Sequence, residues 1–248
     1  MTFWSVLAND GEGERKGWRM ERFGMSMGVM SNQKSSRQSP VNVMFDWEGL
    51  GKAVVVDVSL KFLTSKAHFL TKQQVGGGGG HVCVDIATFH SKLQFIVQDQ
   101  PSQETVFNSR IPSDLRSRIS FLPHDFFTPQ PIKEADVYLL SHVLHDWSDE
   151  MALKILRQLT PAMKATSSIL VLEQVLAEFG EVSNAQMRTA RSADLLMLSL
   201  CNAKERTKED WRVLVESVDE RLAVKNIISS SVGGPRSLIE IGFRDRGV

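Results

Sequence analysis

The sequence predicts an α/β fold built on one doubly wound, largely parallel sheet, and three observations lead to that prediction. The chain has 248 residues with an apolar fraction of 42%, which suits a single α/β domain. From residue 53 onward, short β-branched runs alternate with amphipathic segments, as in parallel strands joined by crossover helices. Polar side chains also gather directly after several of these runs, where ligands bind in such sheets.

The strands are predicted where the apolar runs are too short for helices. Residues 53–58 (Ala-Val-Val-Val-Asp-Val) are apolar and β-branched, and they indicate a strand buried on both faces. Runs of the same kind predict the remaining strands at residues 93–98, 118–122, 137–140, 168–172, 222–228 and 238–241.

The helices are predicted from apolar residues at helical spacing. Leu153, Leu156 and Leu159 lie on one apolar stripe of a helix over residues 150–160. Further helices are predicted at residues 82–91, 184–200 and 208–215. Before residue 45 the pattern is irregular: residues 2–9 and 19–30 have helical character, and residues 31–40 form a polar, serine-rich linker.

Charge and cysteine content weigh against several classes of partner. The 29 basic residues balance 29 acidic ones, so nothing favours a nucleic acid or an anionic membrane. Cys83 and Cys201 lack the spacing of a metal site and fit free thiols in a reducing cytosol. The apolar start of the chain is too short for a signal peptide, and no stretch reaches membrane-spanning length. A cytoplasmic location is therefore expected.

The most informative segment is residues 135–149, where an apolar strand opens onto a polar cluster that includes His142 and His145. A histidine can take a proton near neutral pH, so one interpretation is a general base. The other is a helix cap, with Ser148 or Asp149 starting the helix that follows and His145 merely nearby. The two histidines could also bind zinc, but no third ligand has a suitable spacing.

The block His-Asp-Trp-Ser-Asp at residues 145–149 belongs to an ordered series of motifs over roughly the last four-fifths of the chain. The other blocks begin at Phe45, Val54, Gly76, Leu93, His124, Asn202 and Ser237. The series resembles the plant and fungal O-methyltransferases that use S-adenosylmethionine (SAM), of the caffeate and sterigmatocystin O-methyltransferase type. The resemblance implies the Rossmann-like sheet of class I SAM-dependent methyltransferases, with an antiparallel strand near the C-terminal end.

The resemblance implies methyl transfer from SAM to a hydroxyl of an aromatic small molecule, with His145 as general base. A phenol has a pKa near 10, so a positioned imidazole is needed to take its proton at neutral pH. Glu173 and Glu205 match the family carboxylates that flank and orient this histidine. Either could instead form a surface ion pair with Lys204 or Arg206.

The resemblance also implies residues that bind substrate and cofactor. The substrate residues are Asp194, Met197 and Asn202, although Met197 equally suits an apolar core. The cofactor residues are Asp57, Gly76, Gly78, Gly80, Asp99, Asp125, Phe126 and Ser141.

Each cofactor residue has an ordinary structural alternative. The glycines could form a flexible linker, yet a helix follows them, so they fit a turn that presents a helix N-terminus to the methionyl carboxylate. Asp99 could bind both ribose hydroxyls or simply cap its strand. Asp125 and Phe126 would bracket the adenine, and Phe126 could at the same time belong to the core.

One departure from the family pattern lies in its first motif. The family's Val-Asp-Val-Gly-Gly-Gly is interrupted between Asp57 and Val75, and removing residues 58–74 restores it without a seam. The segment begins Val-Ser and ends in Gln, whose codons can spell GTAAGT and CAG, the sequences of an intron donor and acceptor. We hypothesise a retained intron, translated in frame, that loops out of a catalytic domain spanning residues 45–248.

Two further departures bear on activity. Residues 1–44 could hold only remnant helices of the family's N-terminal dimerisation region, which weakens the expectation of a homodimer. Ser141 stands where the family usually has a long basic side chain. The alternatives are an inactive fragment or a non-enzymatic binding protein with the same fold. A nicotinamide oxidoreductase would explain the glycine turn but neither the 145–149 block nor the 202–207 block.

Overall fold

The computed structural model describes residues 9–18, 37–58, 80–229 and 236–245. Its strands are β1 (Ala53–Val58), β2 (Leu93–Asp99), β3 (Ile119–Pro123), β4 (Val137–Ser141), β5 (Ser168–Glu173), β6 (Val175–Leu176), β7 (Arg206–Thr207), β8 (Leu222–Ser229) and β9 (Ser237–Phe243). Its α-helices are α1 (Pro40–Val43), α2 (His81–Phe89), α3 (Glu104–Arg110), α4 (Asp149–Leu159), α5 (Asn184–Cys201) and α6 (Lys208–Val218).

Seven of these strands form one sheet in the order β3-β2-β1-β4-β5-β9-β8. Strands β1 to β5 run parallel to one another, whereas β9 runs antiparallel to both β5 and β8. The predicted α/β sheet and its antiparallel strand near the C-terminal end are therefore confirmed. The chain leaves β1 toward β2 on one side and later returns to β4 on the other, which opens a crevice at the strand ends.

The central strands are buried on both faces, as their continuous apolar runs predict. Val55 and Leu139 face one apolar core, which α2 covers, while Val56 and Leu140 face a second core. Helices α4 and α6 close the second core, and the fully buried Trp211 of α6 lies within it. The strand ends are thus held in place from both sides of the sheet.

The structure differs from the sequence prediction mainly in short elements. Predicted strand and long-helix bounds agree with the observed ones to within about three residues, a normal margin for element ends. Helices α1 and α3 were not predicted, because each is too short to show an apolar stripe; only Phe107 of α3 is buried. The predicted helices at residues 2–9 and 19–30 fall almost wholly outside the described residues. No helix in the described ranges is long and apolar enough to cross a bilayer.

Candidate active site

Polar side chains lie at the carboxyl ends of four adjacent parallel strands. Asp57 is the penultimate residue of β1, and Asp99, Ser141 and Glu173 are the last residues of β2, β4 and β5. All four are buried. Because the strands are parallel neighbours, these side chains share one edge of the sheet, where the sequence predicted the ligand cleft.

The first part of this site, the carboxylate edge, comprises Asp57, Gly80, Asp99 and Asp125. Asp99 accepts the backbone N–H of Gln100 on Oδ1 at 2.7 Å. The N–H of His124 donates to the carbonyl of Asp99 at 3.0 Å, so Asp99 and Asp125 follow their strands at the same edge. Two of the predicted cofactor residues, Gly76 and Gly78, lie outside the described residues.

Gly80 directly precedes α2 as its N-cap and has a left-handed conformation, with φ of +70°. A Cβ at this position would lie 3.2 Å from Val97 Cγ2 and 3.3 Å from Ile111 Cδ1, which is tighter than ordinary contact. The positive φ therefore favours glycine, and any larger residue would also require these two side chains to shift. The N-terminus of α2 consequently begins close against β2, at the edge where β1 and β2 end.

Asp57 is tied to the same helix through Cys83, whose Sγ donates to Asp57 Oδ2 at 3.3 Å. Burial, together with the charge of Asp57, raises the pKa of the Cys83 thiol well above its usual range. The thiol therefore stays protonated and serves as a donor that holds the Asp57 carboxylate.

Asp125 and Phe126 differ in their surroundings. Asp125 is exposed and accepts the backbone N–H of Phe127 on Oδ1 at 2.9 Å, which closes a turn. Phe126 is only 1% exposed, with its ring edge-to-face against Phe127 at 4.8 Å and Trp147 at 6.0 Å. The structure thus places Phe126 in the second core, and contact with an adenine stays a prediction.

The second part of the site, the histidine corner, comprises His145, Glu173, Glu205 and Arg206. His145 lies in a 3₁₀ turn, Leu144–Asp146, directly after β4, and its side chain is 16% exposed. Its Nδ1 is 3.1 Å from Oε1 of the buried Glu205, and its Nε2 is 3.7 Å from Oδ1 of Asp146. The hydrogen bond to Glu205 fixes the ring orientation and leaves Nε2 as the nitrogen that can exchange a proton.

The surroundings of His145 make its imidazole strongly basic. Burial alone would lower its pKa, but the hydrogen bond with Glu205 and the charges of Asp146, Glu173 and Glu205 raise the pKa to about 9. That value lies close to the pKa of about 10 expected for a phenol.

Glu173 reaches His145 through the backbone and not through the ring. Its Oε1 accepts the N–H groups of Val143, Leu144 and His145 at 3.2, 2.6 and 3.2 Å. Burial raises the pKa of Glu173, while the positive charges of His145 and Arg206 act in the opposite direction. The two carboxylates therefore orient His145 in different ways: Glu205 holds the ring, and Glu173 holds the turn that carries it.

The two motifs at residues 145–149 and 202–207 contact each other directly. Arg206 Nε donates to Asp149 Oδ1 at 3.0 Å, and Lys204 Nζ lies 3.2 Å from Asp149 Oδ2. The two basic residues that could have paired with Glu205 thus bind Asp149, which leaves Glu205 for His145. Sequence reasoning missed the place of Arg206 in the site, although its position beside Glu205 in the second motif was a usable signal.

His142 and Ser141 lie beside the corner. His142 has a left-handed backbone, its Nδ1 is 3.2 Å from Ser141 Oγ, and its ring centre is 5.7 Å from that of His145. Across the described parts of the chain, no group of three potential ligands could hold a metal ion.

The predicted substrate residues lie on or after α5 and have unequal positions. Asp194 Oδ1 accepts the N–H of Glu205 at 3.0 Å, so it supports the corner directly. Asn202 ends α5 in a left-handed conformation, with its N–H donating to the carbonyl of Leu198, and its side chain is exposed. Met197 is half-buried. Among the three, Asp194 is the residue that the structure ties to His145 through Glu205.

Known proteins share this architecture. The model of a family described as an O-methyltransferase domain matches residues 4–218. The O-methyltransferase aoiO of Aspergillus oryzae is 36% identical over 245 residues, 98% of this chain and 56% of that protein. The O-methyltransferase fsr2 of Gibberella fujikuroi is 37% identical over 201 residues, 79% of this chain and 47% of that protein. The chain thus spans about half the length of these curated relatives.

Solved structures give the same result. An O-methyltransferase from neocarzinostatin biosynthesis, NcsB1, was solved with SAM and 2-hydroxy-5-methyl naphthoic acid. It is 25% identical with a TM-score of 0.70, over 98% of this chain and 62% of that one. The mitomycin 7-O-methyltransferase MmcR is 25% identical with a TM-score of 0.68, over 98% and 61%. The sequence motifs, the sheet order and these matches agree, and the chain belongs to the O-methyltransferase domain family.

Proposed function

We propose that this chain carries the catalytic domain of a SAM-dependent enzyme that methylates a hydroxyl group of an aromatic small molecule, with His145 as general base. The observation that carries the proposal is the hydrogen bond between His145 Nδ1 and the buried Glu205, beside the strand ends. A histidine held by a carboxylate on one nitrogen presents the other to a substrate proton.

The raised pKa of His145 defines how the base works. At neutral pH the ring of the free protein is protonated, whereas the base must be neutral, so kcat/KM should rise with pH toward about 9. Once neutral, Nε2 takes the hydroxyl proton, and the new positive charge on the ring is stabilised by Glu205 and Asp146. The substrate oxygen is then the nucleophile.

The carboxylate edge suits SAM as the cofactor. Asp99 would bind the ribose hydroxyls, Asp125 the adenine, and the N-terminus of α2 at Gly80 the methionyl carboxylate. The buried carboxylate at the end of β2 and the glycine with positive φ directly before α2 support this fit. When bound, SAM supplies a methyl group on a sulfonium centre that is open to attack by oxygen.

The aromatic substrate rests on the relatives. NcsB1 was solved with hydroxylated naphthoic acids, and the half-buried Met197 offers an apolar contact of the kind such rings need. Homodimer formation stays a prediction, supported by the exposed Leu195, Leu196 and Leu198 of α5. A cytoplasmic location also stays a prediction.

Two measurements test the proposal. Titration calorimetry with S-adenosylhomocysteine asks whether the chain binds the cofactor product, and a panel of phenols with labelled SAM asks whether it transfers methyl groups. We expect methyl transfer together with weak binding of S-adenosylhomocysteine, because residues 58–74 interrupt the first motif. Binding without transfer to any phenol would favour the non-enzymatic alternative, and absence of both would favour the inactive fragment.

A further inference from the structure

Arg206 is the most deeply buried cation near the histidine corner, with a side chain that is 0% exposed. Its guanidinium donates to the carbonyl of Leu144 at 2.9 Å, to the carbonyl of Trp147 at 3.0 Å and to Asp149 Oδ1 at 3.0 Å. It also lies 5.4 Å from the ring centre of Trp211. Burying a cation is costly unless its donors are satisfied, and here the partners include two backbone carbonyls.

The two carbonyls that Arg206 binds bracket the catalytic histidine. Leu144 precedes His145, and Trp147 follows Asp146, so the guanidinium fixes the carbonyl side of the turn. Glu173 fixes the N–H side of the same turn through three hydrogen bonds. A carboxylate on the N–H groups and a cation on the carbonyls match the dipole of a helical turn, so the two charges act in the same direction.

Arg206 also connects the turn to Glu205, because the two residues are adjacent in the chain. The backbone of Glu205 is held on its other side by Asp194. Any rotation of the 3₁₀ turn relative to β7 would therefore change the 3.1 Å contact between His145 Nδ1 and Glu205 Oε1. A planar fork with several donors suits two carbonyls and a carboxylate better than a single ammonium group does.

We propose that Arg206 is a positioning residue that sets the orientation of His145 against Glu205 by clamping the carbonyls of Leu144 and Trp147. The inference rests on the proposed function, since orientation matters for catalysis only if His145 is the base. Arg206 itself touches no reacting atom in this role.

The direction in which the pKa of His145 changes when Arg206 is replaced distinguishes a positioning role from a purely electrostatic one. Among the described residues, four charged or titratable groups face His145: His142 after β4, Asp146 on the same turn, Glu173 at the end of β5 and Glu205 before β7. The thiol of Cys201, at the end of α5, lies 3.7 Å from Asp146 Oδ1. If Arg206 acted only as a nearby cation, its removal would raise the pKa of His145. If it positions the ring against Glu205, its removal should lower that pKa.

The test follows the His145 ring by NMR titration in Arg206→Met and Arg206→Lys, with the His145 signal assigned from its loss in His145→Gln. We expect a fall of about one pH unit or more in Arg206→Met and a smaller fall in Arg206→Lys, because lysine keeps the charge but not the fork. Arg212→Met is the matched control, since Arg212 is an exposed arginine of α6 that pairs with Glu209 and Glu216. It should leave the titration unchanged.

Kinetics complete the test. In Arg206→Lys, kcat should fall about tenfold with KM for the phenol nearly unchanged, as for lost alignment. An unchanged or raised midpoint in either folded variant would overturn the inference, and if Arg206→Met does not fold, Arg206→Lys decides by the same criterion. The titration needs no turnover. If the Arg206 variants lower the midpoint while the unmodified chain transfers no methyl group, the proposed function is refuted and the effect of Arg206 on the orientation of His145 still stands.

Discussion

The histidine corner and the carboxylate edge lie on the same end of one sheet, yet they are organised differently. In the corner, three separate chain segments contribute charged side chains that contact one another directly, and His145, Glu205 and Arg206 are each fixed by protein atoms. At the edge, Asp99 and Asp125 accept hydrogen bonds from the backbone next to them. The contacts thus orient His145 through side chains that are distant in the chain, whereas the contacts of Asp99 and Asp125 are local.

The largest expected effect comes from removing the imidazole of the histidine corner. His145→Ala should lower kcat by ~10²–10⁴-fold, the usual contribution of a general base, while the affinity for S-adenosylhomocysteine stays nearly unchanged. The two quantities separate because the corner and the edge are held by different contacts. Steady-state kinetics and calorimetry on the same preparation measure both.

His90→Gln is the control for this substitution, because His90 lies at the far end of α2 beside Trp47. It should change neither quantity. Equal losses of binding and turnover in His145→Ala would show that His145 supports the whole site and is not a base that acts in the chemical step.

The next largest effect is expected from a substitution in the carboxylate edge that leaves the histidine corner unchanged. Asp99→Ala should weaken binding of S-adenosylhomocysteine by ~10–100-fold, since hydrogen bonds to a charged group contribute about 1.5–3 kcal/mol. In the same variant, the midpoint of the His145 titration should stay near 9, because Asp99 is not among the groups that raise it. Calorimetry and NMR titration check the two halves of this prediction.

Asp114→Asn serves as the comparison, because Asp114 is an exposed acid in the loop before β3. It should bind S-adenosylhomocysteine like the unmodified chain. If Asp99→Ala bound equally well, Asp99 would be a strand-end cap and the ribose would need another partner.

The sequence predicted the fold well because parallel strands buried on both faces leave a clear signal. The bounds of β1 were predicted without error, since Val55, Val56 and Val58 are apolar, β-branched and fully buried. The residues of the corner could also be found, because their motifs are contiguous. Which atoms meet was not predictable: a carboxylate such as Glu173 can bind a ring or three N–H groups, and only the tertiary geometry decides.

Arg206 and Phe126 are two residues whose surroundings could not be predicted from the sequence. In sequence, Arg206 belongs to a charged block that is typical of a surface, yet packing against Trp211 and two carbonyls buries it completely. Phe126 matches a ligand-binding position, yet it packs into the core against Phe127 and Trp147. Burial of a charge depends on partners that are distant in the chain, and sequence spacing does not reveal them.

The smallest expected effect concerns residues 58–74, which separate Asp57 from the glycines that begin at Gly76. Strand β1 ends at Val58, which is 1% exposed and pairs with Gln98. Deleting residues 58–74 places Val75 after Asp57, so the strand keeps its sequence and the glycines follow it directly. We therefore expect the deletion variant to remain folded, since loop closure of such an insertion changes stability by only on the order of one or two kcal/mol. We also expect it to bind S-adenosylhomocysteine about tenfold more tightly than the unmodified chain, because the glycine turn is joined directly to its strand only when Val75 follows Asp57.

A length-matched control separates the effect of interrupting the first motif from the effect of the side chains in the interrupting segment. Replacing residues 59–74 by a glycine-serine segment of equal length keeps the interruption and removes the native side chains, so it should bind as weakly as the unmodified chain. If the replacement bound as tightly as the deletion variant, the side chains of the segment would be responsible and not its length. A deletion variant that misfolds, or an unmodified chain that already binds tightly, would instead show that residues 58–74 belong to the native architecture. In that case the hypothesis of a retained intron is wrong, and the edge is complete with the segment in place.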